Sequence, residues 1–275
     1  MKSIKFEFMR ILKCIILIIS FVIVSCKNSK NNNGVEIIPT PIVENENIPN
    51  MFVVKTIIFS KDSLPITADI YEVNGKKPTI LLCHQAGFSR GEYKDTALEL
   101  IDLGYSSIAI DQRSGNEVNG VQNETAQKAK NRGLSTNYLD AKQDIEAAID
   151  YMYEMNGQEP IILVGSSYSA TLALLIGKNS EKVKAIAAFS PGEYFKGISV
   201  RDEIEALSKP TFVTSSKKEA EKLTEMMSLT NSLITEQYIP EVEGIHGSRA
   251  LWKSTGGNQN YWEAFKIFLQ KLGAN

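Results

Sequence analysis

From residue 51 to the C-terminus the sequence predicts an α/β fold, with a mostly parallel sheet of about eight strands and helices on both faces. Three observations carry that expectation. Short runs rich in Val, Ile and Leu alternate along the chain with longer segments whose apolar residues recur at helical spacing. Several of the short runs are apolar on both faces, as strands are when helices cover a sheet from above and below. At 161–176 the run Ile161-Ile162-Leu163-Val164, a Gly165-Ser166-Ser167 turn and an apolar helical stretch follow one another with no spacer, so a strand feeds directly into a buried helix.

The first 50 residues read differently. Lys2, Lys5, Arg10 and Lys13 precede an apolar run at 15–24. That run is too short for a comfortable membrane span and fits the central region of a secretory signal. It ends in Ile23-Val24-Ser25-Cys26, which resembles a bacterial lipobox. The resemblance implies that residues 1–25 are a lipoprotein signal peptide and that Cys26 becomes the lipidated first residue. The protein would then be held to a bacterial membrane, periplasmic or surface-exposed, without spanning it. An uncleaved signal anchor is the other reading. Residues 26–50 include Asn31-Asn32-Asn33-Gly34 and Pro39, Pro41 and Pro49 with few large apolar side chains, and read as a disordered tether.

Charge and cysteine content narrow the function classes. The chain is formally −2, and the leader's four basic residues outweigh Glu7 by three, which leaves about −5 for the rest. That mild acidity, with no basic run interleaved with aromatics, argues against a nucleic-acid partner. Of the three cysteines, Cys14 leaves with the signal, Cys26 goes to lipid, and Cys83 ends an apolar run as a small buried core residue. There is no cysteine–histidine metal pattern, and no metal or organic cofactor is expected.

Taken in order, 51–59 and 66–71 read as two strands around a Lys61-Asp62-Ser63-Leu64-Pro65 turn. Residues 78–83 form an almost wholly apolar strand, and 92–103 a helix with Tyr93, Ala97, Leu100 and Ile101 inward, ended at Gly104. A strand at 106–110 stops at Asp111-Gln112-Arg113, a structural turn with Asp111 and Arg113 in local hydrogen bonds. Residues 116–137 are long and polar, an irregular loop at the carboxyl edge of the sheet and so one wall of a substrate site. In the helix at 139–155, Ala141, Ile145, Ala148, Ile149 and Met152 point inward and Asp144, Glu146 and Asp150 outward. A strand at 183–189 is followed by 190–207, too short and polar to roof a deep acyl tunnel. Strands at 210–214 and 234–239 flank a helix at 218–229. A last helix at 261–272 carries Phe265, Phe268, Leu269 and Leu272 on one stripe.

The chemistry centres on Ser167. A serine at a sharp strand-to-helix turn has its hydroxyl exposed at a helix N-terminus, where free N–H groups favour developing negative charge. Serine ionises far above neutral pH and needs an adjacent base, and the chain has only two histidines, His84 and His246. Gly165-Ser166-Ser167-Tyr168-Ser169 resembles the Gly-x-Ser-x-Gly nucleophile elbow of the α/β-hydrolase superfamily, with Ser169 in place of the last glycine. His84-Gln85-Ala86-Gly87-Phe88 resembles the His-Gly-x stretch of the same family, with Gln85 in place of glycine.

The resemblance covers 51–275 and is closest to the small, dienelactone-hydrolase-like serine hydrolases, an α/β-hydrolase fold with no large cap domain. It implies a triad in the order Ser167, Glu219, His246, with Glu219 where relatives commonly carry Asp and with Glu221 and Asp202 as substitutes. It also implies an oxyanion hole from the N–H groups of Ala86 and Tyr168, with His84 as a structural brace. The reaction so implied is hydrolysis of a small-molecule carboxylic ester, of short acyl chain or small polar substrate, through an acyl-enzyme. Two other readings stay open: an inactive envelope binding protein of the same fold, and a peptidase or acyltransferase on the same triad.

Overall fold

The computed structural model describes residues 38–39, 51–73, 76 and 79–273. Strand β1 (Ile38–Pro39) lies within the stretch read as a tether and pairs antiparallel with Val54 and Lys55 of β2 (Met51–Phe59). The rest of that stretch, the leader and Cys26 lie outside the described residues. β2 forms a hairpin with β3 (Pro65–Val73), closed by a turn in which Ser60 and Leu64 bond each other's backbone. Then follow β4 (Ile80–Cys83), β5 (Ser107–Ile110), β6 (Ile161–Ser166), β7 (Val183–Phe189), β8 (Thr211–Thr214) and β9 (Thr235–Tyr238).

The sheet order is β1-β2-β3-β5-β4-β6-β7-β8-β9, with β3 antiparallel to β5 and every neighbour from β5 to β9 parallel. After β4 the chain moves outward to β5, then returns to the other side of β4 as β6. Connections therefore leave in opposite directions from the carboxyl ends of β4 and β6, which opens a crevice between them. Cys83 lies in register with Gly165, so His84 and Ser166 emerge side by side.

Alternate residues of the central strands feed two cores, as the two-residue period of a strand requires. Leu81, Cys83 and Leu163 face one core, which α3 (Lys142–Met155) and α4 (Tyr168–Gly177) cover with Ile145, Ile149, Leu172 and Leu174. Ile80, Leu82, Ile162 and Val164 face the other, covered by α1 (Lys94–Asp102) and α7 (Asn258–Gly273) with Leu100, Phe265, Phe268 and Leu269. Burying a side chain of this size contributes about 1.5–3 kcal/mol, so the helices are fixed to both faces. This is the predicted α/β-hydrolase fold. Residues 190–207 add only a loop and the one-turn α5 (Val200–Glu203), and no cap domain.

Three expectations are corrected. The 116–137 segment is not irregular: it holds α2 (Glu124–Asn131), capped by the Asn123 side chain, which accepts from Ala126 N–H at 2.8 Å. The buried face of α2 is Thr125, Ala126 and Ala129, too small to write an apolar stripe into the sequence. The helix packs back on β3, where Thr125 Oγ1 accepts from Thr67 N–H at 2.9 Å. Asp144 does not face outward. It is fully buried and takes the Arg113 guanidinium in a two-pronged bond, with Nη2 to Oδ1 at 2.7 Å and Nε to Oδ2 at 3.0 Å. Nor are the Asp111 and Arg113 bonds local. Arg113 also reaches Asp62 at 2.8 Å, and Asp111 pairs with Arg90 at 2.7 Å. A buried guanidinium is stable only when its charge and donors are met, and the partners that meet them come from distant elements.

Candidate active site

β6 ends at Ser166 and α4 begins at Tyr168, so one residue makes the whole turn. Ser167 has φ 57° and ψ −123°, a conformation that costs a non-glycine residue on the order of 1–3 kcal/mol. Gly165 makes the turn possible. A Cβ there would lie 2.4 Å from the Ser169 carbonyl oxygen and 2.6 Å from Ala170 N. Ser169 keeps the elbow intact despite replacing the usual glycine, because its buried hydroxyl donates to His84 O at 2.6 Å and accepts from Gln112 Nε2 at 2.5 Å.

Two further strand ends meet this serine. His246 lies in the loop after β9, and its Nε2 is 2.8 Å from Ser167 Oγ. Glu219 ends the 3₁₀ turn Lys217–Glu219 that leads into α6 (Ala220–Met226), and its Oε1 is 2.5 Å from His246 Nδ1. A carboxylate on Nδ1–H leaves Nε2 free to accept the serine proton. The other oxygen of Glu219 accepts from Ser190 Oγ at 3.0 Å, Ser216 N–H at 3.1 Å and Ser216 Oγ at 2.8 Å. The bond from Ser216 N–H is one half of a capping box, whose other half runs from Glu219 N–H to the Ser216 side chain. Partial burial raises the Glu219 pKa, but the bonds from His246, Ser216 and Ser190 outweigh it and bring the group down from 4.5 to about 2. With the folded value the lower one, Glu219 stabilises the fold above about pH 4.5, and that contribution is lost as pH falls towards 2. Gly247 lets the histidine loop close in. Its φ is 76°, its N–H donates to Ser190 Oγ at 2.9 Å, and a Cβ would stand 2.5 Å from Gln85 Oε1.

A family model described as serine aminopeptidase, S33, matches residues 74–233, more than half of the chain. The chain belongs to this family. The matched stretch holds Ser167 and Glu219 and stops short of His246. Among solved structures, the chain resembles an esterase of Pyrococcus furiosus at 17% identity and TM-score 0.62, over 86% of this chain and 97% of that one. A dienelactone hydrolase of Anabaena variabilis matches at 15% identity and TM-score 0.61, over 82% and 98% of the two chains. An acylaminoacyl peptidase of Pyrococcus horikoshii matches at 15% and 0.61, over 82% of this chain and 42% of that one. At these identities the likeness is one of fold. No curated protein matches the sequence significantly. Family and fold together make the chain an α/β-hydrolase of the serine-hydrolase type.

In this hydrolase His84 is fully buried. Its Nε2 accepts from Gln112 N–H at 3.0 Å and its Nδ1 faces Gln85 O at 2.8 Å. Burial brings its pKa down to about 4, which keeps the ring neutral as it braces the loop. Ala86 lies in the turn after β4. Tyr168 is the first residue of α4, a position whose N–H has no intrahelical acceptor. Glu221 and Asp202 are both exposed, and the place on His246 Nδ1 belongs to Glu219. Among the described residues no cluster of His, Cys, Asp and Glu is arranged to hold a metal ion.

The sequence reading missed Ser190, Tyr138 and Tyr194. Ser190 follows β7, has φ 54° and links Glu219 to the histidine loop. Its signal was its place at a carboxyl strand end, where such sites gather. Tyr138 stacks on Tyr168 with ring centroids 4.6 Å apart. Tyr194 donates to Ser190 O at 3.0 Å, with the Ser167 hydroxyl also in reach. Together with Leu139, Phe195 and Lys196, Tyr138 and Tyr194 line a groove of about 340 Å³, joined to the elbow through their contacts with Tyr168 and Ser167. Another hollow, about 380 Å³ between α3 and α4, is lined by Lys142, Glu146 and Leu175; the triad candidates line neither hollow, and it is Tyr194 that brings the first within reach of Ser167.

Proposed function

We propose that this protein is a serine esterase that cleaves a carboxylic ester of short acyl chain through an acyl-enzyme. The observation that carries the reading is the unbroken chain of bonds from Ser167 through His246 to Glu219, at a strained elbow. Ser167 Oγ attacks the ester carbonyl while His246 Nε2 takes its proton and Glu219 stabilises the imidazolium. The N–H groups of Ala86 and Tyr168 receive the oxyanion, each such donor being worth about 3–4 kcal/mol in comparable sites. His246 then protonates the departing alcohol. Water, deprotonated by the same ring, releases the acid and restores Ser167.

The family description favours a second reading, an aminopeptidase. Such an enzyme must hold the free α-ammonium of its substrate, for which a carboxylate is the natural partner. The charged residue of the groove lined by Tyr138 and Tyr194 is a cation, Lys196, and Glu219 is already engaged by His246. Both facts support the ester reading.

Acyl length separates an esterase from a lipase. Each methylene contributes about 0.8 kcal/mol, close to fourfold in kcat/KM, only where protein surface covers it. With residues 190–207 giving a loop and one helical turn and no cap to cover a longer tail, kcat/KM is expected to peak at acetyl or butyryl and to fall by octanoyl, in a series of monomeric esters of one alcohol. A continued rise through palmitoyl overturns this specificity.

The lipobox-like Ile23-Val24-Ser25-Cys26 supports a lipid-anchored protein of the cell envelope. Cys26→Ser is expected to leave the protein unprocessed or to release it from the membrane fraction. Unchanged fractionation and unchanged mass would replace the anchor at Cys26 with an uncleaved leader.

A further inference from the structure

Behind the elbow lies a carboxylate that takes no part in the chain of bonds described above. Glu92, in the 3₁₀ turn Arg90–Tyr93, is only 1% exposed. Its Oε2 accepts from Gln85 N–H at 2.7 Å, and its Oε1 accepts from Ser166 Oγ at 2.7 Å and Ser248 Oγ at 2.5 Å. Ser248 N–H donates back to Ser166 Oγ at 2.8 Å and closes the ring. The three contacted residues are not scattered. Gln85 adjoins Ala86, Ser166 adjoins Ser167, and Ser248 is two residues past His246. One carboxylate thus touches the oxyanion loop, the nucleophile strand and the histidine loop at once, although Ser248 is 156 positions away in sequence.

We propose that Glu92 is a positioning residue for the reaction, setting the mutual spacing of the three loops that carry the nucleophile, the base and one oxyanion donor. The proposal rests on the reading of Ser167 and His246 as nucleophile and base. A buried carboxylate is expensive unless a cation or several donors compensate it. Among the described residues Glu92 is in no salt bridge. Burial pushes its carboxyl up, while the bonds to Ser248, Gln85 and Ser166, and Arg249 through space, act the other way. Cohesion of the sheet does not require this group, since β4 and β6 already pair along Ile80–Cys83. What it adds is a common reference point for three loops.

A carboxylate offers all three donors a charged acceptor. A glutamine amide keeps one acceptor oxygen for Gln85 N–H and reverses the two serine bonds, so the charge is lost and the hydroxyls of Ser166 and Ser248 must turn their hydrogens elsewhere. The carboxylate also cannot migrate, because the Glu92 backbone carbonyl is held by Trp252 Nε1 at 2.8 Å and the neighbouring Tyr93 hydroxyl by Cys83 O at 2.9 Å. Displacement of a reacting group by about 1 Å can cost 100-fold in rate, so loss of this reference should register in turnover before it registers in substrate binding.

The test is Glu92→Gln and, as a milder variant that removes a single arm, Ser248→Ala, both checked for folding by circular dichroism. Glu92→Gln is expected to lower kcat for a short ester at least tenfold with KM within about twofold. Phosphonylation of Ser167 by a fluorophosphonate should slow in proportion, and Ser248→Ala should shift both readouts the same way by a smaller factor. Wild-type kcat and labelling rate in a folded Glu92→Gln overturn the proposal. If that variant does not fold, unchanged kcat and labelling in Ser248→Ala overturn it instead. Wild-type protein that the fluorophosphonate never labels at Ser167 removes the esterase reading itself, whereas labelled wild type with an unaffected Glu92→Gln removes only the role of Glu92.

Discussion

Ser167→Ala is expected to lower kcat for a short ester by about 10⁶-fold, since removing a nucleophilic serine costs about that much where serine, base and acid act as a unit. The fold should not change. Alanine takes the same φ of 57° at the same cost as serine, and the elbow's close packing depends on Gly165 and Ser169, which are untouched. The variant should show wild-type circular dichroism and melting and no mass adduct with a fluorophosphonate. Retention of more than about one per cent of wild-type turnover, with contaminating hydrolase excluded by that same probe, is incompatible with Ser167 as nucleophile.

Glu219→Gln should cost about 10⁴-fold in kcat with little change in KM, the magnitude seen when the acid of such a triad becomes an amide. The amide is nearly isosteric, so it can still bond His246 Nδ1, at a longer distance than the carboxylate's 2.5 Å. It can no longer stabilise an imidazolium by charge, and if its nitrogen faces the ring it selects the tautomer whose Nε2 carries the proton. The same experiment on Asp202→Asn and Glu221→Gln should leave kcat within about twofold. Both of those side chains are exposed, and the place on His246 Nδ1 is taken by Glu219. A large loss in either, with Glu219→Gln active, would transfer the acid's role to the other carboxylate.

How far the molecule could be read from its sequence follows from where each signal is stored. β4 and β6 announce themselves because every residue in them is buried, so the apolar run and the strand coincide. Ser167 and His246 are legible because a strand-to-helix turn and a scarcity of histidine leave few alternatives. The contact of Glu219 with His246 was expected only through the resemblance, which places an acid a few residues past this strand, since a glutamate in the first turn of a helix has the same local sequence whether it faces water or an imidazole. α2 was hidden by its small buried side chains, and Asp144 by a charge that ordinarily marks a solvated face. Glu92 was beyond reach for a different reason. Its partners Gln85, Ser166 and Ser248 come together only when three loops close, and no window of sequence contains them.

The capping box of Ser216 and Glu219 gives the acid a double occupation. One oxygen of Glu219 orients His246 while the other closes the turn from which α6 starts, and a cap of this kind is worth about 1 kcal/mol. Heredity therefore acts on two traits through one codon. A lineage that moved the acid to another strand end would still need glutamate or glutamine here to close this turn. Position 219 is thus expected to stay Glu or Gln in descendants that have lost Ser167 and His246 and no longer turn over substrate.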